Sequence, residues 1–478
     1  LEVKKCVSIA DGHPLGTVNI DDLSIINEDY LVTPSPSWKN LALKDKQTIF
    51  FNIADQLEAQ RDKIIYFLIH EAGKTYKDAI DEIRDAVDVL RYYAVQAEKI
   101  SQVRQSLPGP TGETNDLFYE PKGVFICISP WNFPVAIFIG QIAAALITGN
   151  SVLAKPSEHT PLLGEIVADI FYDCGIPTDA LQLFHGNGEV GQKLISCSGI
   201  NGVAFTGSLE TAKKIHQQLS HKAGPIANLI AETGGLNAMI IDSSSLLEQV
   251  VDDILRSAFN SAGQRCSALR IALIHETIYE DLLNLLRDAM KELWVGNPEE
   301  FHCDVGPIIE DRAMTHLENY LQQFQDRKFP VFSHNQAPNS CCFIAPTLIE
   351  LSSLDEIDHE MFGPILHTLP FQVDNLDNML SQLVQKGYGL TMGMHSRIEG
   401  KVDDLLQKSI TGNVYINRDI VGAVVGSQPF GGTGLSGTGF KAGGPNYLLQ
   451  FVDERTVTKN TVAFGGNTDI LNLDCCLL

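Results

Sequence analysis

Strand and helix patterns alternate along the chain from residue 123, and this alternation constrains the fold more than any other feature. Short β-prone runs occur at 124–128, 151–154, 181–184 and 202–205, and the stretches between them have the apolar spacing of helices. Strands that alternate with helices at this spacing form parallel βαβ units, because a parallel crossover carries a helix across one face of the sheet. We therefore expect a doubly wound α/β domain in this region.

A second alternating series begins near Met239. It predicts helices at 246–262 and 279–293 and strands at 269–274, 347–350, 365–370, 390–395 and 412–417. The first hundred residues instead have mainly the spacing of helices, at 45–69 and 78–100. A Pro/Gly-rich segment at 107–112 precedes a β-prone stretch and predicts a projecting hairpin at 108–119, and the tail returns to a β-prone run at 455–463.

Composition narrows the classes of partner. The 478 residues are too many for one ordinary core, and 35 basic against 59 acidic residues give a net charge of −24. Such a charge argues against nucleic acid or an anionic membrane as partner. Ten cysteines without a repeated spacing suggest a reducing compartment. We expect no membrane span, no signal peptide and no metal site, since the sequence has no His/Cys cluster with ligand spacing.

Both ends of the sequence carry weak signals. The chain opens with Leu1 rather than Met, which suggests a fragment of a longer protein. Its last four residues, Cys475-Cys476-Leu477-Leu478, formally match a prenylation box, and we interpret this as a chance match.

Three residues are candidates for catalysis. Cys266 follows a predicted helix within small residues and beside Arg265, a neighbour that should lower the pKa of the thiol, although a buried structural thiol is the alternative. Glu232 ends a β-prone run before two glycines, where open α/β sheets place functional groups, and a helix cap or ion pair is the alternative. Asn132 follows a strand and could donate to a developing oxyanion or simply form a turn.

These segments together resemble the aldehyde dehydrogenase family over nearly the whole chain. The matching motifs occur in the family's order: Pro130-Trp131-Asn132-Phe133-Pro134, Lys155-Pro156-Ser157-Glu158, Phe205-Thr206-Gly207-Ser208, Glu232-Thr233-Gly234-Gly235, Gly263-Gln264-Arg265-Cys266 and Glu360-Met361-Phe362-Gly363-Pro364. The resemblance implies that Cys266 is the nucleophile, that Glu232 is the general base, and that the Asn132 amide with the Cys266 backbone N–H holds the oxyanion.

The resemblance also implies NAD as cofactor. Lys155 and Glu158 would hold the adenosine ribose hydroxyls, and the Glu158 carboxylate would repel the 2′-phosphate of NADP. Ser208 opens a predicted helix whose N-terminus would accept the pyrophosphate, while Glu360 and Phe362 would lie at the nicotinamide. The remaining expected cofactor-binding residues are Ser129, Trp131, Ser157, Gly188, Thr206, Gly207 and Gly234. The segment from Gly186 to Gly191 formally fits the dinucleotide fingerprint, but we assign it a turn.

A narrower resemblance concerns the substrate. The stretches 257–270, 421–432 and 435–445 are similar to the branch of the family that oxidises L-glutamate γ-semialdehyde, also called Δ1-pyrroline-5-carboxylate dehydrogenase. Ser267 and the loop of Gly422 and Ala423 would then bind the α-carboxylate. Phe133 and Phe430 would enclose the aliphatic part, and Arg265 completes the expected substrate site. Alternatively, Ser267 only packs beside the nucleophile and Gly422 only forms a turn.

The same branch includes the C-terminal module of bifunctional proline-catabolic proteins, which carry an FAD-dependent proline dehydrogenase barrel upstream. We expect an NAD-binding domain at 1–106 and 120–233, a catalytic domain at 234–419, and an oligomerisation flap and tail at 107–119 and 446–478. A flap with open strand edges implies a homodimer or larger assembly. The expected location is the bacterial cytoplasm, or the mitochondrial matrix in a eukaryote. An aldehyde dehydrogenase for uncharged aldehydes and a non-catalytic structural protein on the same fold remain alternatives.

Overall fold

A β-hairpin precedes the helices at the start of the chain. The computed structural model describes residues 2–24, 26, 33–101, 104–333, 337–338 and 342–461, so the formal prenylation box lies outside the described residues. Strands β1 (Glu2–Val7) and β2 (Pro14–Ile20) pair in antiparallel fashion. The prediction of mainly helices is therefore wrong for this segment. Only Cys6 and Val18 of the two strands are buried, too few to give a readable alternation.

Four helices follow the hairpin: α1 (Pro36–Asn40), α2 (Leu43–Ala59), α3 (Arg61–His70) and α4 (Tyr76–Ser101). Helix α4 buries Ile83, Val87, Leu90 and Ala94, at the three- and four-residue spacing of one helical face. Strands β3 (Gln105–Leu107) and β4 (Glu113–Pro121) then form the predicted hairpin, slightly longer at both ends than expected.

The first large sheet has five parallel strands in the order β7-β6-β5-β8-β9. Its elements along the chain are β5 (Val124–Ile128), α5 (Ala136–Ile147), β6 (Ser151–Lys155), α6 (Pro161–Asp173), β7 (Leu181–Leu183), α7 (Gly188–Ser196), β8 (Gly202–Thr206), α8 (Leu209–His221) and β9 (Asn228–Glu232). The strands are apolar and almost wholly buried, as expected for a sheet covered by helices on both faces.

The second large sheet has seven strands in the order β12-β13-β14-β11-β10-β16-β17, and β12 alone of these is antiparallel to its neighbour. Its elements are β10 (Ala238–Ile241), α9 (Leu247–Phe259), β11 (Ile271–His275), α10 (Tyr279–Lys291), α11 (Asp311–Asp326), β12 (Val331–Ser333), β13 (Thr347–Glu350), β14 (Ile365–Phe371), α12 (Val373–Gln385), β15 (Tyr388–Gly389), β16 (Thr391–His395), α13 (Glu399–Lys408) and β17 (Asn413–Ile416). Each sheet has its own apolar core.

The last strands connect distant parts of the chain. β18 (Thr433–Gly434) pairs with β15, and β19 (Val452–Asn460) pairs with β4 along its whole length. The resulting three-stranded sheet, in the order β19-β4-β3, is here called the flap.

The α/β doubly wound fold is confirmed, with differences in particular elements. The helix predicted at 246–262 ends at Phe259, because Ser261 and Ala262 have left-handed backbone angles, and a short 3-10 turn follows at Asn260–Gly263. The next strand begins at Ile271 rather than at residue 269 for the same reason. Helices α11, α12 and α13 were not predicted.

Candidate active site

Two of the predicted catalytic residues lie at the carboxyl end of the first sheet. Glu232 is the last residue of β9, and Thr206, the last residue of β8, is its register partner. Asn132 follows β5, which is the other neighbour of β8. Because the strands are parallel, these side chains share one edge of the sheet, where open α/β folds place their ligands.

Cys266 lies in a tight connection between α9 and β11, residues 260–270, here called the nucleophile turn. Ser261, Ala262 and Gly263 have φ values of 53°, 54° and 66°, so three successive residues are left-handed. A Cβ on Gly263 would lie 2.2 Å from the carbonyl oxygen of Gly363, which leaves room for glycine only. The turn therefore depends on its own glycine.

The buried Arg270 holds the nucleophile turn from inside. Its Nη1 donates to the carbonyls of Gly263 at 2.8 Å and Gly363 at 3.1 Å, and its Nη2 donates to the carbonyl of Arg265 at 3.1 Å. The same nitrogen donates to Oε1 of Glu360 at 3.1 Å. One guanidinium thus fixes the backbone on both sides of the cysteine and orients Glu360.

Asn237 holds the cysteine itself. Its Nδ2 donates to the carbonyls of Cys266 at 2.7 Å and Ala268 at 2.9 Å, and its Oδ1 accepts from the Thr391 N–H at 3.1 Å. The backbone of the nucleophile is therefore tied to the edge of the second sheet.

The thiol of Cys266 is protonated at rest. Burial raises its pKa to about 12, and the carboxyl groups of Glu232 and Glu360 act in the same direction. The Ser267 N–H and Arg265 lower the pKa, but by less. The expected influence of Arg265 thus has the predicted sign and is outweighed, so the thiol needs a base before it can attack.

Arg265 has its own carboxylate partner. Its Nη2 lies 2.7 Å from Oδ1 of Asp78, its Nε donates to Oγ of Ser261 at 3.0 Å, and Ser261 donates to Asp78 at 2.9 Å. The guanidinium carbon lies 5.5 Å from the ring centre of Phe133, and Nζ of Lys74 lies 4.1 Å from it. The expected substrate residue Arg265 therefore supports Phe133 rather than presenting a free charge.

Asn132 contacts the nucleophile turn directly. Its side chain is buried, and Nδ2 donates to the carbonyl of Gln264 at 3.0 Å. The amide has a second N–H in the same plane. Asn132 thus lies against the turn that carries Cys266, although the two residues are far apart in sequence.

Glu232 is enclosed by backbone from the end of the chain. Its Oε2 accepts from the Gly432 N–H at 3.4 Å, and a Cβ on Gly431 would lie 2.7 Å from its Oε1. Burial raises the pKa of Glu232 well above 4.5, while the Gly432 N–H and the Lys441 cation partly oppose this shift. A carboxyl group with a raised pKa is suited to take up and release protons near neutrality.

The expected adenosine residues lie at the end of β6. Nζ of the buried Lys155 is 3.7 Å from Oε2 of Glu158, and Ser157 is also buried. Oγ of Ser129 is buried without a hydrogen-bond partner, and its N–H donates to the Lys155 carbonyl at 3.3 Å. The unpaired Ser129 hydroxyl, the Lys155 ammonium and the half-exposed Glu158 carboxylate could all hydrogen-bond to the hydroxyl groups of a sugar. These residues therefore fit NAD.

The expected pyrophosphate residue Ser208 and the expected cofactor-binding residue Gly188 lie at two helix ends. Ser208 caps α8 and accepts from the Thr211 N–H, so the first N–H groups of this helix remain open beside Gly207. Gly188 opens α7, and its missing Cβ would meet nothing within 4 Å. A Cβ on Gly186 would lie 2.4 Å from Val190, so this part of the fingerprint-like segment serves local packing.

The expected nicotinamide residues cluster beside the nucleophile turn. A Cβ on Gly234 would lie 1.6 Å from Oε2 of Glu360, so the carboxyl group lies directly against this glycine. Burial raises the pKa of Glu360 and Arg270 opposes the shift. The ring of Phe362 meets Trp131 edge to face, with centres 5.8 Å apart.

The expected carboxylate-binding residues are the solvent-accessible loop of Gly422 and Ala423 and the buried Ser267. Gly422 has φ 85°, and an added Cβ would meet nothing within 4 Å. The hydroxyl of Tyr415 donates to the Gly422 carbonyl at 3.4 Å, which anchors the loop, and Ala423 is partly exposed. Ser267 is buried beside the nucleophile, while Phe430 is partly exposed and exchanges two backbone hydrogen bonds with Ala442.

Sequence reasoning missed several supporting residues, notably Asn237, the guanidinium of Arg270, Asp78 and Lys441. Arg270 carried a readable signal, since it is a charged residue directly before the wholly apolar run Ile271-Ala272-Leu273-Ile274. The others are ordinary polar residues whose roles depend on contacts across the fold.

Within the described part of the chain, no group of three or more His, Cys, Asp or Glu side chains could hold a metal ion. Among the same residues, no helix combines the length and apolar character that crossing a bilayer requires.

Comparison with known proteins identifies the family. The sequence profile of the aldehyde dehydrogenase family matches residues 32–457. The bifunctional protein PutA of Escherichia coli K12 is 45% identical over 436 residues, which are 89% of this chain and 32% of that protein. The 1-pyrroline-5-carboxylate dehydrogenase of Geobacillus thermodenitrificans is 33% identical over 434 residues, 88% of this chain and 83% of that enzyme.

Comparison with solved structures agrees with the sequence comparison. A crystal structure of a bifunctional proline utilization A (PutA) protein has a TM-score of 0.91 at 42% identity and covers 94% of this chain and 46% of that one. This chain spans about a third of the length of the curated bifunctional relatives, as the 32% coverage shows. The profile match and the relative covered over most of its length lead to one conclusion: the chain belongs to the aldehyde dehydrogenase family.

Proposed function

We propose that the chain oxidises L-glutamate γ-semialdehyde, which forms from Δ1-pyrroline-5-carboxylate, to L-glutamate with NAD, the second step of proline catabolism. The observation that carries this proposal is the placement of Asn132 against the Gln264 carbonyl, two residues before Cys266, with Glu232 near enough for its charge to act on the thiol. Relatives named for this activity, at 33% identity over most of their length, support the substrate.

Cys266 is the nucleophile of this proposal. Its sulfur attacks the aldehyde carbon and forms a thiohemiacetal, while the Asn132 amide and the Cys266 backbone N–H stabilise the oxyanion. NAD, when bound, would supply a two-electron oxidant that accepts the hydride of the former aldehyde carbon, so that Cys266 would be left as a thioester. Before attack the thiol must lose its proton, and Glu232 is the carboxyl group whose charge acts most strongly on it.

Glu232 is also the base for hydrolysis. It takes a proton from a water molecule, which attacks the thioester carbon, and glutamate leaves as the Cys266 sulfur recovers a proton. The raised pKa of Glu232 makes it a stronger base than an ordinary glutamate once it is ionised.

NAD is favoured because the residues expected around it form three consistent groups. Lys155, Ser157 and Glu158 would bind the adenosine ribose, and the N-terminus of α8 at Ser208 would bind the pyrophosphate, with the turn at Gly188 nearby. Glu360 and Phe362 would lie at the nicotinamide, and Ser129, Trp131, Thr206, Gly207 and Gly234 would complete the cofactor site. The family is generally NAD-dependent, which agrees with this assignment.

The substrate's α-carboxylate would be bound by the Ser267 hydroxyl and the N–H groups of Gly422 and Ala423. Phe133 and Phe430 would enclose its methylene groups. In this arrangement Arg265 acts by holding Phe133, since its own charge is paired with Asp78.

The chemistry is tested by Cys266→Ala, with Cys174→Ala as the matched control. Cys174 is also a free, partly exposed cysteine, but it ends α6. We expect NADH production to be lost in Cys266→Ala and kept in Cys174→Ala. If Cys266→Ala kept its activity, the proposed nucleophile would be wrong, whereas a wild-type protein without NADH production would favour a structural role for the chain.

The substrate is tested by comparing kcat/KM for glutamate semialdehyde and for propanal. We expect the semialdehyde to be preferred, and Ser267→Ala to raise its KM about tenfold, as loss of one charge-assisted hydrogen bond predicts, with little effect on propanal. A preference for propanal would favour an enzyme for uncharged aldehydes.

We also propose the setting of the enzyme. The domains are 1–106 with 120–233, which bind NAD, and 234–419, which carries the nucleophile, with 107–119 and 446–478 forming the flap and tail of a homodimer or larger assembly. The high identity to PutA proteins supports an upstream FAD-dependent proline dehydrogenase module and a cytoplasmic location. Mass spectrometry of the intact protein from its native cell would show whether this chain and an upstream proline dehydrogenase module belong to one polypeptide.

A further inference from the structure

The last turns of α9 contact two parts of the proposed substrate site. One is the nucleophile turn, which follows the helix directly in the chain. The other is the segment 418–423, here called the carboxylate loop, which carries Gly422 and Ala423 and follows β17. Ile420 of this loop lies 163 positions after Ser257 of α9. Two segments that are distant in sequence therefore meet on one helix.

Ser257 joins the two segments directly. It is 1% exposed, and its Oγ accepts from the N–H of Ile420 in the carboxylate loop at 3.1 Å. Its carbonyl accepts from the N–H of Leu269 in the nucleophile turn at 2.8 Å. Because both hydrogen bonds end on one buried residue of a helix, they fix the carboxylate loop relative to the segment that carries Cys266.

A buried pair of a carboxyl group and an imidazole holds the start of the carboxylate loop. Asp253 lies one turn before Ser257 on α9, and its Oδ2 is 3.4 Å from Nε2 of His395, the last residue of β16. The Asp253 carboxyl group accepts from the Asp419 N–H, and the His395 ring donates to the Arg418 carbonyl. This carbonyl and this N–H belong to one peptide group, so the pair binds both of its polar atoms.

The carboxylate loop is buried where it is held and accessible where a ligand would bind. Ile420 and Val421 are buried, whereas Gly422 is exposed and Ala423 is partly exposed. The Tyr415 hydroxyl donates to the Gly422 carbonyl at 3.4 Å and holds the loop at this second point. The loop is therefore a fixed platform with an open end.

The gap between this platform and the nucleophile matters for a substrate that is bound at both ends. Glutamate semialdehyde carries its aldehyde and its α-carboxylate at opposite ends of a short carbon chain. Such a molecule fits only where the gap between the Cys266 sulfur and the carboxylate loop matches its length, and a displacement of about 1 Å can cost about a hundredfold in rate.

We propose that Asp253 and Ser257 are positioning residues that set this gap, and that they thereby determine how strongly the protein prefers an aldehyde that carries a carboxylate. Neither residue touches the substrate. Both act through the carboxylate loop, and Ser257 acts through the nucleophile turn as well. The inference rests on the proposed function, because it takes Gly422 and Ala423 as the site of the α-carboxylate.

The first test compares Ser257→Ala with Ser151→Ala. Ser151 is the matched control, since it is also buried and its Oγ also accepts one backbone N–H, from Ser35 at 2.8 Å, but it lies at the start of β6. The measured quantity is the ratio of kcat/KM for glutamate semialdehyde to kcat/KM for propanal. We expect Ser257→Ala to lower this ratio about fivefold, mainly through KM of the semialdehyde, as loss of one hydrogen bond predicts. Ser151→Ala should leave the ratio unchanged.

The second test uses two variants of Asp253. An asparagine can accept the Asp419 N–H with its oxygen and donate to His395 with its nitrogen, so Asp253→Asn should keep the ratio near that of the wild type. Asp253→Leu has a side chain of similar size without these groups, and it should lower the ratio about as much as Ser257→Ala does. Each of the two residues has its own variant, so an unfolded product of one leaves the other decisive.

The ratio separates positioning from stability, because a less stable fold lowers turnover of both aldehydes together. Equal losses for the two aldehydes in Ser257→Ala and Asp253→Leu would overturn this inference and leave the proposed function standing. An Asp253→Asn protein that behaved like Asp253→Leu would contradict the account based on hydrogen bonds. A wild-type protein without a preference for the semialdehyde would overturn the proposed substrate, and this inference with it.

Discussion

The carboxyl group of Glu232 is balanced between two opposing influences. Burial stabilises its neutral form, while the Gly432 N–H and the Lys441 cation stabilise its charged form. Lys441 is held in place by its hydrogen bond to the Gly412 carbonyl. The cation therefore lowers the pH at which Glu232 becomes a base.

Lys441→Met should shift the pH dependence of hydrolysis to higher pH. Removing the cation raises the pKa of Glu232 further, so a larger part of the carboxyl groups stays protonated at a given pH. We expect the rising limb of kcat against pH to move upwards by about half a unit to one unit, a change of about 0.7–1.4 kcal/mol in ionisation. Stopped-flow measurement of thioester hydrolysis from pH 6 to 9 checks this.

The control is Lys459→Met, because Lys459 lies exposed on β19 in the flap. A shift of equal size in both variants would indicate a general effect of net charge. A shift towards lower pH in Lys441→Met would contradict the electrostatic account.

Single residues show what the sequence could and could not reveal. Cys266, Glu232 and Asn132 are recognisable because each lies in a motif next to a strand end. The partner of Arg265 was not recognisable, since Asp78 is 187 positions away in sequence. The pKa of the thiol also depended on burial and on two distant carboxyl groups, which a neighbouring arginine in the sequence does not indicate.

At the scale of elements, the nucleophile turn depends on one glycine. Gly263 has φ 66° and lies against the Gly363 carbonyl, so Gly263→Ala adds a methyl group where there is no space and a conformation that alanine disfavours. We expect a loss of at least about 2 kcal/mol of unfolding free energy, or a displaced turn with a large fall in kcat.

Gly400→Ala is the matched control for this change. Gly400 lies in α13, and its added Cβ would meet nothing within 4 Å. Alanine should stabilise that helix by about 0.5–1 kcal/mol. Denaturant unfolding of both variants gives the comparison, and a Gly263→Ala protein as stable and active as the wild type would contradict the packing argument.

The sequence predicted helices and strands correctly where their side chains are buried in a regular pattern. Strands β5, β6 and β8 are apolar on both faces and were visible as short runs. The hairpin of β1 and β2 was missed because it buries few side chains, and the end of α9 was misplaced because left-handed residues leave no trace in apolar spacing. Tertiary contacts, above all with Gly363, determine that boundary.

At the scale of the whole molecule, the flap presents a free strand edge. In the order β19-β4-β3, no other strand among the described residues pairs with the outer side of β19 at residues 452–459. The Lys122 N–H donates to the Phe451 carbonyl at 3.3 Å, and continuing this antiparallel alternation places the N–H of Thr456 on the outer side. The outer edge suits a strand or backbone from a second copy.

Thr456→Pro should therefore weaken the proposed assembly without breaking the ladder inside the flap. Proline removes an outward N–H that takes no part in the pairing with β4 and that a partner strand would need. By light scattering we expect the wild type to have at least twice the 52.4 kDa mass of the chain, and Thr456→Pro to shift towards a single chain. Thr456→Val keeps the N–H and should behave as wild type. Unchanged mass in the proline variant would place the interface elsewhere.

The enclosure of Glu232 by residues 431–437 also has a consequence for how the protein is made. A ribosome delivers Glu232 and Cys266 long before it delivers the glycines that surround the carboxyl group, which lie 200 positions further along. A nascent chain can therefore contain the Cys266 thiol while it lacks the glycines that surround Glu232 and influence the pKa of that carboxyl group. Catalytic competence is thus a late event of biosynthesis, and a chain interrupted before this segment would leave a cysteine without its partner.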